Sequence, residues 1–124
     1  MQRLILIIED SETCAETLQI ALESIPGVET RAVRNPHAAI AALQDSGNEI
    51  AAIVTDLHLP QRDGFDLIRQ LRAEPRFATL PILLISGDSD PRLPARAIAQ
   101  GANAFFAKPY SPSAVRRKLE QLLC

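Results

Sequence analysis

The chain has 124 residues, 47% of them hydrophobic, with 13 basic against 15 acidic side chains. That length describes one domain around one core. A net charge of −2 excludes the strongly basic balance of a nucleic-acid binder, and no apolar run approaches the roughly 18 residues of a transmembrane helix.

Apolar runs and helical stripes alternate along the chain. Leu4 to Ile8 is a continuous apolar run of strand length. Ser11 is a plausible N-cap for a helix whose stripe is Cys14, Leu18, Ala21, Leu22 and Ile25, and Pro26-Gly27 stops it. Val28 to Val33 alternates apolar and polar residues, as an edge strand with one wet face does. Asn35-Pro36 opens a second helix with Ala39, Ile40 and Leu43 as its stripe, and Gly47-Asn48 closes it. Ile50 to Thr55 is again continuous and apolar, the pattern of a central parallel strand covered on both faces.

A turn over Leu57 to Asp63 follows, and Gly64 precedes a third helix carrying Phe65, Ile68 and Leu71, ended by Pro75. Pro81 starts a strand with the body Ile82 to Ile85. The polar stretch Ser89 to Pro94 delays the fourth helix to near Pro91 or Pro94, and Gly101 stands where a C-cap glycine belongs. Ala104 to Ala107 is the fifth strand, with Phe106 turned to the opposite side from Phe105. Ser111-Pro112 caps a last helix with Val115, Leu119 and Leu122 facing inward. Strands alternating with helices of about 10–13 residues predict an α/β fold, (βα) five times, with a doubly wound parallel five-stranded sheet and right-handed crossovers. With so few aromatic residues, four Phe and one Tyr, the core must be aliphatic.

The polar chemistry falls where the apolar runs stop. Glu9 and Asp10 end the first strand, Asp56 the third, Ser86 the fourth and Lys108 the fifth. Open parallel sheets bind ligands beyond the carboxyl ends of their strands, at the point where strand order reverses. In the order 2-1-3-4-5 that point lies between the first and third strands, so Glu9 and Asp10 face Asp56. Three carboxylates in one crevice repel each other unless a cation sits among them. Few hard oxygen ligands with room for water suit Mg²⁺ better than Ca²⁺. A carboxylate nucleophile, a lysine and a hydroxyl beside such an ion suit an incoming phosphoryl group.

Taken together these residues resemble the receiver domain of two-component response regulators, the chemotaxis-regulator-like, flavodoxin-like fold. The resemblance runs from Leu4 to about Leu123. It is carried by the acid pair Glu9-Asp10, the loop Asp56-Leu57-His58-Leu59-Pro60-Gln61-Arg62-Asp63-Gly64, Ser86-Gly87, and Phe105 three residues before Lys108-Pro109. It implies that Asp56 receives a phosphoryl group from a histidine kinase or a phosphotransfer protein. Glu9, Asp10, Asp56 and the backbone carbonyl of His58 would ligate Mg²⁺ or Mn²⁺, and Lys108 would pair with the phosphoryl oxygens. Ser86 would move to the phosphoryl group and Phe105 would turn inward, changing the surface of helix 4, strand 5 and helix 5. His58 and Asp88 stand where side chains tune the lifetime of the phosphorylated state. The Lys108-Pro109 bond is expected to be cis, which costs little before proline.

The resemblance also sets expectations for partners. The 124 residues read as a single receiver with no output domain, so output passes to a separate protein, with no direct nucleic-acid binding and no membrane. Gly101-Ala102-Asn103-Ala104 lacks the paired acids that many DNA-binding relatives use to dimerise, so a monomer or weak homodimer is expected. Tyr110 is expected exposed or half-buried near the output face, and Arg116-Arg117-Lys118 reads as a solvated helix face. The N-terminal apolar run ends at Glu9 without a cleavage site, so no signal peptide is expected in it. Cys14 and Cys124 show neither CxxC nor metal spacing, so reduced thiols, a buried Cys14 and a cytoplasmic location are expected.

Other classes fit less well. A haloacid-dehalogenase-type phosphohydrolase needs Asp-x-Asp after its first strand, where this chain has Asp10-Ser11-Glu12. A receiver that only binds partners usually lacks the acceptor Asp or the Lys, and both are here. Ser86 has no G-x-S-x-G elbow, so it is no hydrolase nucleophile. The chemistry expected is therefore self-phosphorylation and self-dephosphorylation, not enzymatic turnover.

Overall fold

A computed structural model, which describes residues 3–46 and 50–123, sets strands and helices in alternation. The order is β1 (Arg3–Ile8), α1 (Glu12–Glu23), β2 (Val28–Val33), α2 (Pro36–Ser46), β3 (Ile50–Asp56), α3 (Gly64–Arg72), β4 (Ile82–Ser86), α4 (Leu93–Gln100), β5 (Ala104–Ala107) and α5 (Pro112–Leu123). The strands form one parallel sheet in the order β2-β1-β3-β4-β5. This is the doubly wound, flavodoxin-like arrangement that the alternation predicts.

The continuous apolar runs arise because both faces of the central strands are covered. Successive side chains of a strand point to opposite faces. Leu6 and Ile8 of β1 therefore join Ile53, Ile82 and Leu84 under α2, α3 and α4. Ile5 and Ile7 join Val54, Leu83 and Ile85 under α1 and α5. Phe105 packs on the first layer and Phe106 on the second, both half-buried, so the expected opposition holds while Phe106 stays short of full burial. β2 is the sparsely buried edge its alternation predicts.

Helix starts follow their caps. Ser11 Oγ accepts from the Cys14 N–H at 3.4 Å, Asn35 Oδ1 from Ala38 at 2.8 Å, and Asp63 Oδ1 from Asp66 at 2.9 Å. Three expectations shift. Cys14 is half-buried and Ala15 fills the buried position, because the true inward stripe of α1 is Ala15, Leu18 and Leu22. α3 starts at Gly64 itself, because Asp63 is its cap, and it ends at Arg72 before Pro75 is reached. Pro75 instead opens a 3-10 turn, Pro75–Phe77, that buries Phe77. α3 and α4, with 9 and 8 residues, are shorter than the predicted range. The stop at Gly47-Asn48, and Cys124, lie outside the described residues.

Gly64 fixes the loop that follows β3. Its N–H donates to Leu57 O at 2.7 Å, and a Cβ there would stand 2.8 Å from the Asp56 carbonyl oxygen and 3.1 Å from Leu57 Cα. Neither is a flexible side-chain end, so the backbone beside Asp56 must shift to admit any other residue. Gly64→Ala should lower stability by about 1–3 kcal/mol, the usual cost of overpacking. Urea unfolding of the two proteins checks this, and an unchanged midpoint would contradict the close approach.

Candidate functional site

Four strand ends meet above the switch point. Glu9 follows β1 directly, and its N–H donates to Val33 O at 3.0 Å. Asp56 is the last residue of β3, and the next N–H, that of Leu57, donates to Ile85 O at 2.8 Å. Ser86 ends β4 fully buried, and its carbonyl accepts from the Lys108 N–H at 2.8 Å. Of the expected group, Glu9, Asp10, Asp56 and Lys108 are brought together, while Ser86 meets Lys108 through its backbone carbonyl and its hydroxyl accepts the Asp88 N–H at 3.0 Å.

The Lys108 ammonium bridges two carboxylates. Its Nζ lies 2.8 Å from Glu9 Oε1 and 2.7 Å from Asp56 Oδ2. Asp56 Oδ1 accepts the His58 N–H at 3.1 Å, so both oxygens of Asp56 are held. Glu9 is only 4% exposed and Asp56 7%. Burial pulls the Lys108 ammonium towards neutrality, but its hydrogen bonds to Asp56 and Glu9 outweigh burial and hold it above the ordinary lysine range. Burial, aided by the neighbouring Asp56, raises the Glu9 carboxyl above its ordinary value despite Lys108.

One oxygen is left over. Glu9 Oε2 is buried and has no hydrogen-bond partner among the described residues. Such an orphan costs about 1–3 kcal/mol, and more for a charged group. Glu9, Asp10 and Asp56 each offer an oxygen within 4.8 Å of the others, with Asp10 on the exposed side. Three hard oxygens, one of them unsatisfied, with a single ammonium to balance them, fit a divalent cation that keeps some of its water.

At the rim, the loops after β3 and β4 touch. His58 Nε2 lies 3.5 Å from Asp88 Oδ2, both exposed, so the two expected tuning residues are neighbours. Lys108-Pro109 is cis, as expected. Tyr110 is half-buried, within its expected range of exposure. Its ring packs on the α1–α5 layer and lines a hollow of about 490 Å³ with Thr13, Cys14, Thr17 and Pro109.

The chain's similarity to known proteins can be set against this geometry. Residues 5–120 match the model of the response regulator receiver domain. This protein belongs to that family. It is 26% identical over 119 residues to the chemotaxis protein CheY1 of Helicobacter pylori, covering 96% of this chain and 95% of that protein. It is 31% identical over 121 residues to the transcriptional regulatory protein GltR of Pseudomonas aeruginosa, covering 98% of this chain and 49% of GltR. Among solved structures, the signal receiver domain of a histidine kinase from Syntrophus aciditrophicus superposes with a TM-score of 0.86 at 36% identity, over 98% of this chain and 89% of that one. The chain is thus a receiver domain of the signalling class. Among its described residues no helix is long and apolar enough to cross a membrane.

Tyr110 is the only tyrosine, and there is no tryptophan, so phenolate absorbance reports it alone. Burial pushes its phenol up to about 12, with the nearby Cys14 adding to the rise. The folded form therefore keeps its proton longer than the unfolded chain, where the value is about 10. Stability from this group is complete below about pH 10 and is lost as pH rises towards 12. Ultraviolet titration should give a folded midpoint well above the one measured in urea, and coinciding midpoints would contradict the buried ring.

Proposed function

We propose that this chain is the phosphoacceptor switch of a two-component or phosphorelay system, acting in the cytoplasm. Asp56 takes a phosphoryl group from a histidine kinase or phosphotransfer protein, with Mg²⁺ as the preferred ion. The α4–β5–α5 surface then changes to control a separate output protein, with no nucleic acid bound directly. The observation that carries this reading is the Lys108 ammonium on Asp56 Oδ2 and Glu9 Oε1, beside an unsatisfied Glu9 oxygen.

Asp56 supplies the attacking oxygen. The oxygen–phosphorus bond forms as the phosphorus–nitrogen bond of the donor phosphohistidine breaks, and the imidazole leaves, taking a proton. The His58 N–H and Lys108 hold the Asp56 carboxylate in one orientation beforehand, which removes part of the entropic barrier. Glu9, Asp10, Asp56 and the His58 carbonyl would hold the divalent ion, which when bound supplies charge neutralisation for the transferring oxygens. Lys108 passes from carboxylate to phosphoryl oxygen as charge develops there. Ser86 turns to donate its hydroxyl to the same group, and Phe105, which lacks a hydroxyl, moves inward by apolar burial alone. Water then attacks phosphorus, the acyl phosphate opens, and the Asp56 carboxylate and inorganic phosphate are restored. His58 and Asp88, 3.5 Å apart, set the rate of this step.

Phosphoramidate with Mg²⁺ should add the mass of one phosphoryl group to the intact protein. Asp56→Asn, or EDTA in place of Mg²⁺, should abolish the gain. No gain on the wild type, or an equal gain on the variant, would defeat the reading. Once donor is removed, His58→Ala should change the decay rate of the phosphorylated species, and identical decay would remove His58 from its tuning role.

A further inference from the structure

Asp56 is the last residue of β3, so the planar peptide groups that follow it decide where its carboxylate points. The next two are each held at both ends. In the first, the Leu57 N–H donates to Ile85 O at 2.8 Å, and the Asp56 carbonyl accepts the Thr55 hydroxyl at 3.0 Å. In the second, the Leu57 carbonyl accepts the Gly64 N–H at 2.7 Å, and the His58 N–H donates to Asp56 Oδ1 at 3.1 Å. Three of these four anchors are donated by backbone N–H groups. The fourth, Thr55 Oγ1, is a side chain that lies outside the acid cluster.

A hydroxyl is out of keeping with this place in the sheet. Thr55 is fully buried and stands in register between Ile8 of β1 and Leu84 of β4. Ile53, two residues earlier on the same face of β3, belongs to the apolar layer under α2, α3 and α4. Valine has the same branched shape and suits a strand equally well, with no hydroxyl to take out of water. Burying a hydroxyl is unfavourable unless it is hydrogen-bonded, and the bond that Thr55 makes is to the phosphoacceptor candidate's own carbonyl. Gly64 packs against that same oxygen, since a Cβ there would stand 2.8 Å from it.

We infer that Thr55 is a positioning residue for phosphoryl transfer, whose hydroxyl fixes the peptide group after Asp56 and so aims the carboxylate for attack. The inference rests on the phosphoacceptor reading above and adds a residue to that site. Thr55 touches none of the reacting atoms. Its hydrogen bond sets the rotation about the Asp56 Cα–C bond, and that rotation helps bring the His58 N–H against Oδ1. With Oδ1 held there, Oδ2 stays 2.7 Å from Lys108 Nζ. Without the hydroxyl the peptide group keeps its Leu57 anchor but can tilt, and fewer encounters with a donor find the attacking oxygen aligned.

Thr55→Val and Thr55→Ser test it, with urea unfolding to measure stability and intact mass to time phosphoryl uptake from phosphoramidate with Mg²⁺. Thr55→Val removes the hydroxyl and keeps the shape. It should remain folded, yet take up the phosphoryl group about three- to tenfold more slowly than the wild type, the order of one neutral hydrogen bond. Thr55→Ser loses a buried methyl group and keeps the hydroxyl. It should unfold at lower urea, yet phosphorylate within about twofold of the wild type, because the donor remains. Rate then follows the hydroxyl and not stability, which a merely structural role would not produce. Uptake by Thr55→Val at the wild-type rate, or Thr55→Ser slowed as much as Thr55→Val, overturns the role of Thr55 and leaves the phosphoacceptor reading standing. A wild type that gains no mass overturns that reading and the role of Thr55 with it.

Discussion

One ammonium group decides the arrangement of this molecule's working end. Lys108 reaches two carboxylates from different strands at hydrogen-bond distance. Removing ions from water is costly, and a buried group of like charges is tolerated only with counter-charge and full hydrogen bonding. Lys108 offsets one carboxylate's charge and satisfies one oxygen on each of two. The buried Glu9 Oε2 has no hydrogen-bond partner among the described residues, and the exposed Asp10 carboxylate stands within 4.8 Å of the same group. The charge balance of the site is therefore incomplete, a state that suits a cation.

The rest of the fold serves to hold those charges still. Parallel strands covered on both faces do not slide, because a one-residue slip would carry each apolar set to the wrong layer. Ile5 and Ile7 belong to one layer, Leu6 and Ile8 to the other, and Glu9 follows them at a fixed place. Gly64 keeps the loop after Asp56 close against the strand. In the loop after β4, backbone groups are held by side chains instead of by a sheet.

Much of this was legible in the sequence. The continuous runs at Leu4 to Ile8 and Ile50 to Thr55 declared covered strands, and the polar residues that ended them declared the site. The caps at Ser11 and Asn35 were readable because their side chains act locally. What was not legible depended on contacts distant in sequence or on rotations of a few tens of degrees. Cys14 and Ala15 are adjacent, and a small turn of α1 decided which was buried. The 3-10 turn at Pro75 needed Arg72 to satisfy the carbonyls of Phe77 and Ala78. The approach of His58 to Asp88 joins two loops whose residues are 30 apart in the chain.

The central claim is chemical: one particular carboxylate among several neighbours bears the phosphoryl group. Borohydride reduces an acyl phosphate, and not a free carboxylate, to an alcohol, which marks the modified residue permanently. Peptide mass spectrometry after phosphorylation and reduction should find homoserine at position 56 and unaltered aspartate at 10 and 88. Homoserine at position 10 or 88, or unmodified aspartate at 56 in a protein that has gained the phosphoryl mass, would contradict the account.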